Sequence, residues 1–157
     1  MHAYLFILPI EPVEIGEIYE HLPLHCTLMP WFRLTATPEE LLEKISMIFE
    51  RHGPLELISA APALFGPNDD IPVHTLASNP SLINLHNKLF VALNEMDAIH
   101  TERKWTGNGF APHVATKNKR AFPPDSHARI NEVYLFEALD AEKLSDRKAL
   151  AELSLLF

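Results

Sequence analysis

The sequence predicts an α+β fold built from a repeated unit. Three observations carry that expectation. Short apolar runs bounded by prolines recur along the chain, and each of two amphipathic helices opens on a cap residue followed by proline. The element order (strand, strand, helix, strand, strand, helix, strand, strand) also gives each half one helix and several strands.

Tyr4 to Ile10 is an apolar run closed by Pro9 and Pro12, and reads as a buried strand. Leu24 to Phe32 reads as a second, entered after Pro23 and broken by Pro30. Thr37 fits an N-cap, Pro38 the first helical position, and Glu40 completes a capping box. Leu41, Leu42, Ile45, Ile48 and Phe49 follow at helical spacing until Gly53-Pro54 stops the helix. Leu55 to Phe65 is apolar but interrupted by Pro62, which predicts one bent strand or two short ones, and 66–70 is a turn. Val73 to Ala77 is a short strand. Asn79-Pro80 repeats the cap-and-proline device ahead of the stripe Leu82, Leu85, Leu89, Leu93 and Met96. Residues 99–109 are polar, contain Gly107 and Gly109, and form the longest expected loop. Phe110 to Lys117 and Ile130 to Leu139 read as strands. The alternation of Ala151, Leu153, Leu155 and Phe157 with Glu152 and Ser154 predicts a closing strand.

The composition narrows the function. At 157 residues, 47% hydrophobic and 22% charged, the chain can build one core, as a single domain 1–157, and is not a disordered tail. No apolar run is long enough to span a membrane, and no basic segment precedes an apolar one as in a signal peptide, so no membrane partner is expected. A net charge of −8 argues against binding along a long nucleic-acid backbone, though not against a phosphate-bearing ligand in a local pocket. The single cysteine, Cys26, forms no internal disulfide and suits a reducing cytoplasm. The expected state is a monomer.

Nine histidines invite a search for a metal site, but there is no His-Glu-x-x-His, no cysteine pair and no acidic loop, so no metal or cofactor is expected. His86 and His100, at a predicted helix, read as solvated or half-buried, and His2, His21, His52, His74 and His127 fall at element ends or edges. Two histidines stand inside predicted strands. In Leu24-His25-Cys26-Thr27-Leu28, strand alternation puts His25 and Thr27 on one face, where an imidazole and a hydroxyl can share one phosphate. In Phe110-Ala111-Pro112-His113-Val114-Ala115-Thr116-Lys117, alternation puts His113, Ala115 and Lys117 together. Spacing alone proves no chemistry: Ser and Thr hold 14 of 157 positions, so nine histidines meet close to one such pair by chance.

The chain as a whole, however, resembles the two-histidine phosphoesterase superfamily, which includes 2′-5′ RNA ligase-like proteins and cyclic nucleotide phosphodiesterases. The first family motif is matched by His25-Cys26-Thr27-Leu28, followed by Pro30-Trp31-Phe32. The second is matched by His113-Val114-Ala115-Thr116 after Phe110-Ala111-Pro112, and Val133 to Glu137 with the C-terminus resembles the last two strands. The resemblance implies a bilobal, pseudo-twofold fold, with two antiparallel-rich sheets around a central groove and helices outside. It also implies a metal-independent hydrolysis of a 2′,3′-cyclic phosphate on a nucleotide or RNA end, or 2′-5′ RNA ligation. His25 and His113 would be general acid and base, with Thr27 donating to a phosphate oxygen. The chain departs from the pattern at Ala115, where the family has Thr or Ser. Lys117, returning to the histidine face, could replace the missing contact, and Thr116 should face the core. Trp105 and Trp31 are expected as base platforms, Phe32 and Phe110 as core aromatics, and Arg33 and Lys119 as added local charge. Ala115 leaves open a module that binds a nucleotide or RNA end without turning it over. A structural domain with incidental histidines is the third reading.

Overall fold

A computed structural model describes residues 1–157. Its strands are β1 (His2–Pro9), β2 (Ile18–Tyr19), β3 (His25–Leu34), β4 (Leu55–Phe65), β5 (Ile71–Leu76), β6 (Ile99–His100), β7 (His113–Ala115), β8 (His127–Ile130), β9 (Glu132–Ala138) and β10 (Arg147–Ser154). Helix α1 (Pro38–Glu50) follows β3, and α2 (Pro80–Glu95) follows β5. The expected capping box closes at α1: Thr37 Oγ1 accepts from the Glu40 N–H, and the Glu40 carboxylate accepts from the Thr37 N–H. Asn79 caps α2 through the Leu82 N–H.

All pairings are antiparallel, and the path runs β2-β10-β9-β1-β3-β7-β5-β4-β8, with β6 also on β3. The two sheets expected are therefore joined into one ten-stranded sheet, with β3 and β7 at the join. Both helices pack on one face, where Leu41, Ile45, Phe49, Leu82, Leu85, Leu89 and Leu93 meet Leu8, Cys26, Leu28, Phe32 and Val114 in the main core. A smaller cluster on the opposite face holds Leu5, Ile7, Val13, Leu22, Tyr134, Phe136 and Ala149. No helix is long and apolar enough to cross a membrane.

Three element boundaries differ from expectation. Pro30 does not break β3, because Tyr4 pairs with Phe32 and Phe6 with Met29, so Pro30 sits in a bulge that asks no N–H of it. Of the two forms expected for 55–65, the single strand is the one seen, with Pro62 at a register shift in one continuous β4. The run 110–117 contributes only the three residues of β7, because Pro112 lacks a ladder donor and residues 117–120 turn back on themselves. The strand expected at 130–139 is β9, and β8 ends where that run begins, an addition to the predicted order. At the C-terminus β10 ends at Ser154, leaving Phe157 80% exposed. The short β2, which has no apolar run of its own, is an addition to the predicted order.

Candidate functional site

The join between β3 and β7 brings the two histidine motifs together. Cys26 pairs with Val114, and both are fully buried on the helix face. In an antiparallel ladder the neighbouring rows then place Thr27 opposite His113 and His25 opposite Ala115, all on the other face. His25 and His113 are diagonal neighbours, about 7–8 Å apart at the backbone, a separation one phosphate can bridge between two rings. The motifs are related by a local twofold through the Cys26–Val114 pair.

Both imidazoles are held by the same device. His25 Nδ1 lies 2.7 Å from the Pro23 carbonyl, and His113 Nδ1 lies 2.8 Å from the Ala111 carbonyl, two residues upstream in each case. A carbonyl only accepts, so each Nδ1 carries the proton and each neutral ring keeps a lone pair on Nε2. Burial holds both histidines below the ordinary imidazole range. The effect is larger at His25, which is pushed down to about 4 by burial and then by the positive charge of Lys117, His113 and Arg147.

Thr27 and His113 line a cavity of about 480 Å³, whose far wall is Phe65, Gly66, Pro67, Ile71, Glu102, Arg103, Lys104 and Trp105. This cavity exists because β3 has two partners on one edge: β6 at Phe32–Arg33 and β7 at Cys26. Residues 101–112 leave the sheet between them and carry Trp105 over the gap in two 3₁₀ turns. Gly109 lets those turns close, since a Cβ there would meet the Lys104 carbonyl oxygen at 2.0 Å. The opposite rim is the β4–β5 turn, where Gly66 has φ +96° and abuts Ile71.

Of the expected platforms, Trp105 lines this cavity and Trp31 does not; Trp31 packs against the cluster around Leu5 and Ile7. Phe65, which the sequence alone does not single out, completes the aromatic wall. It stacks on Trp105 at 4.9 Å between centroids and meets His113 edge-on at 4.6 Å. The only signal for it is its place just before the Gly66-Pro67 turn. Lys117 lies outside the cavity lining, on the His25 side. Arg33 is turned away to Glu142 and the Ala141 carbonyl. Phe32 is in the core and Phe110 packs against it, as expected.

His86 corrects the expectation of a solvated or half-buried side chain, being fully buried. Its Nδ1 donates to the Leu28 carbonyl at 2.7 Å, its Nε2 accepts from the Gly107 N–H at 3.0 Å, and its ring stacks on Phe110 at 3.8 Å. It thereby fastens α2 to β3 and to the loop bearing Trp105. No group of three or more His, Cys, Asp or Glu side chains is disposed to hold a metal ion.

No family model and no curated protein sequence matches the chain. Solved structures do. Escherichia coli LigT complexed with 3′-AMP is similar with a TM-score of 0.67 at 16% identity, over 99% of each chain. A structure described as a phosphoesterase gives 0.66 at 15% identity, again over 99% of each. A Thermus thermophilus protein gives 0.57 at 17%, over 99% of this chain and 98% of that one. The resemblance expected from the two motifs therefore holds at the level of the fold.

Proposed function

We propose that the chain is a metal-independent phosphoesterase of the two-histidine type, hydrolysing a 2′,3′-cyclic or related ribose cyclic phosphate on a nucleotide or RNA end. The observation that carries this reading is the common face of His25, Thr27 and His113, with both Nδ1 atoms committed to carbonyls and both Nε2 atoms free. The structural neighbours support it: LigT has been solved with 3′-AMP, phosphate, ATP and NADP+. We read the local twofold between the motifs as the trace of a duplicated unit.

In this mechanism the base rests against Trp105 and Phe65, the ribose points to His113, and the phosphate spans the two rings. His25, neutral near pH 7, takes a proton from water on Nε2 as the water oxygen bonds to phosphorus. The P–O bond to the ribose oxygen breaks, and the His113 imidazolium protonates that oxygen through Nε2. The bound phosphate raises the proton affinity of His113, which supplies the charged form that burial alone disfavours. Thr27 donates to a non-bridging oxygen. Lys117 supplies positive charge where Ala115 lacks a hydroxyl.

The test is turnover of 2′,3′-cyclic nucleotides in EDTA by the wild type, His25→Ala and His113→Ala. Each variant should lose about 10²- to 10⁴-fold. Undiminished turnover in both ends the reading. Ala115 favours one alternative, a binding module of the same fold, which tight nucleotide binding by a wild type without turnover would establish.

A further inference from the structure

The His113 flank of the histidine pair is the aromatic cavity, and apart from His113 its charged groups come from one short stretch. Glu102, Arg103 and Lys104 are consecutive residues of the segment that leaves the sheet, and Glu102 is the one acid in the lining. The open edge of β3 explains its position. Between the pairings with β6 at Phe32 and with β7 at Cys26, that edge has no strand beside it. The Thr101 N–H donates to the Trp31 carbonyl at 3.0 Å, and the Glu102 carboxyl accepts the Trp31 N–H. The protein packed around that carboxyl raises it above its ordinary range, and the Trp31 N–H draws it back. A carboxylate has about four lone-pair positions, so one N–H leaves acceptor capacity for the cavity that Glu102 lines. Nor is the acid neutralised by its neighbours: none of the protein's four ion pairs includes Glu102, Arg103 or Lys104. Lys104 instead stands over the Trp105 ring, 5.3 Å from its centroid. Trp31 lies four residues along β3 from Thr27, about 13 Å by strand rise. A nucleoside monophosphate spans that distance with its phosphate at one end and its base edge at the other.

A base in this cavity therefore meets an acceptor and cationic donors together. Guanine sets two adjacent donors, N1–H and the N2 amine, where one carboxylate can take both, and offers O6 and N7 to Arg or Lys. Adenine and cytosine each place a ring-nitrogen acceptor beside their amine, and uracil flanks its one N–H with two carbonyls, so each turns an acceptor toward the carboxylate. We infer that Glu102 selects guanine by accepting from N1–H and the N2 amine, with Arg103 or Lys104 donating to O6 and N7. The inference rests on the phosphoesterase reading for the end of the cavity at which the phosphate lies, and adds to it the identity of the base.

Calorimetric binding of 3′-GMP, 3′-IMP, 3′-AMP and 3′-CMP to the intact protein tests this. 3′-GMP should bind about 10- to 100-fold tighter than 3′-AMP or 3′-CMP. 3′-IMP, which keeps N1–H and O6 but lacks the N2 amine, should fall between. Glu102→Gln retains an acceptor for the Trp31 N–H but turns a donor toward guanine in place of the second oxygen. In that variant the preference for 3′-GMP should collapse, with inorganic phosphate binding little changed. Equal wild-type affinities for 3′-GMP and 3′-AMP, equal affinities for 3′-GMP and 3′-IMP, or a guanine preference retained in Glu102→Gln each overturn the inference; the first two need no variant to fold. Turnover of the 2′,3′-cyclic nucleotides, measured in parallel, separates the two claims. Turnover indifferent to the base leaves the phosphoesterase and removes guanine selection, whereas Glu102-dependent guanine binding without turnover leaves the selection and removes the phosphoesterase.

Discussion

The two strands that carry the histidines make an instructive pair. β3 is ten residues long and laddered on both edges, while β7 is three residues long and lies between a proline and a turn. Despite that, each orients its imidazole by an Nδ1–H bond to the carbonyl two residues upstream. Anchoring is therefore a local property of the backbone and does not depend on the length of the strand. What differs is the surroundings. His25 has Thr27 on its own strand and cations beside it, whereas His113 has Ala115 on its own strand and aromatic rings beside it. In the proposed mechanism this difference in surroundings divides the labour: His25, kept neutral by burial and cations, is assigned the role of base, and His113, beside the aromatic rings, that of acid.

The largest effect that could break this division comes from changing the leaving group. With a ribose leaving oxygen, His25→Ala and His113→Ala should both fall about 10²- to 10⁴-fold in kcat. With an activated aryl phosphodiester, whose phenolate leaves unaided, the His113→Ala deficit should largely vanish while the His25→Ala deficit persists. Rescue of His25→Ala instead would exchange the roles. The next effect concerns the hydroxyls. Thr27→Ala should cost about 10²-fold in kcat, the worth of one transition-state donor. Ala115→Thr, diagonal to it, should raise kcat, and a Thr27→Ala/Ala115→Thr double variant should recover part of the loss, because the local twofold places the new hydroxyl against the same phosphate. No gain from Ala115→Thr in either background would mean that Lys117 already fills that position.

A smaller effect sharpens the contrast between the flanks. Removing the stacked ring in Trp105→Ala should weaken nucleotide binding by about 1–3 kcal/mol, read as a higher Kd for 3′-AMP with inorganic phosphate binding little changed. Trp31→Ala should leave the Kd for 3′-AMP close to wild type, since that ring packs on the cluster beside Leu5 and Ile7.

That last pair of variants also marks what the sequence can and cannot convey. Alternation along Leu24–Leu28 is enough to place His25 and Thr27 on one face, and the cap-and-proline signals locate the start of both helices to within a residue. Those are local facts, set by the strand and helix periods. The aromatic wall is not local. Phe65 and Trp105 meet because residues 101–112 leave the sheet between β6 and β7, and nothing in either segment encodes the other. Trp31 shares the alternation of Thr27 yet lies beyond the bulge at Pro30, under a different part of the sheet. His86 departs from expectation for a related reason: an imidazole on an apolar helix stripe looks polar in sequence, and only the Leu28 carbonyl and Gly107 N–H opposite it make burial favourable.

A further predicted effect is on stability, and it tests the comparison without any substrate. His25 has a folded pKa of about 4 against an ordinary 6.5. Above pH 6.5 the ring is neutral whether folded or unfolded, so no proton is linked to unfolding. Between 6.5 and 4 the unfolded chain binds a proton that the folded chain refuses, so stability must fall as the pH is lowered through that window. His113 is shifted in the same direction, but its ring opens on the cavity and the shift is smaller. His86 and His100, also held low by burial, contribute equally to every variant and set a common background. Thermal melts at about pH 7.5 and about pH 4.5 should therefore show the largest drop in the wild type, a smaller drop in His113→Asn, and the smallest in His25→Asn. Saturating 3′-AMP should reduce the wild-type drop, because a bound phosphate favours the imidazolium forms that the empty site disfavours. Equal flattening by the two asparagine variants would mean that β3 and β7 hold their histidines in equivalent surroundings, and the assignment of base to one and acid to the other would lose its physical ground.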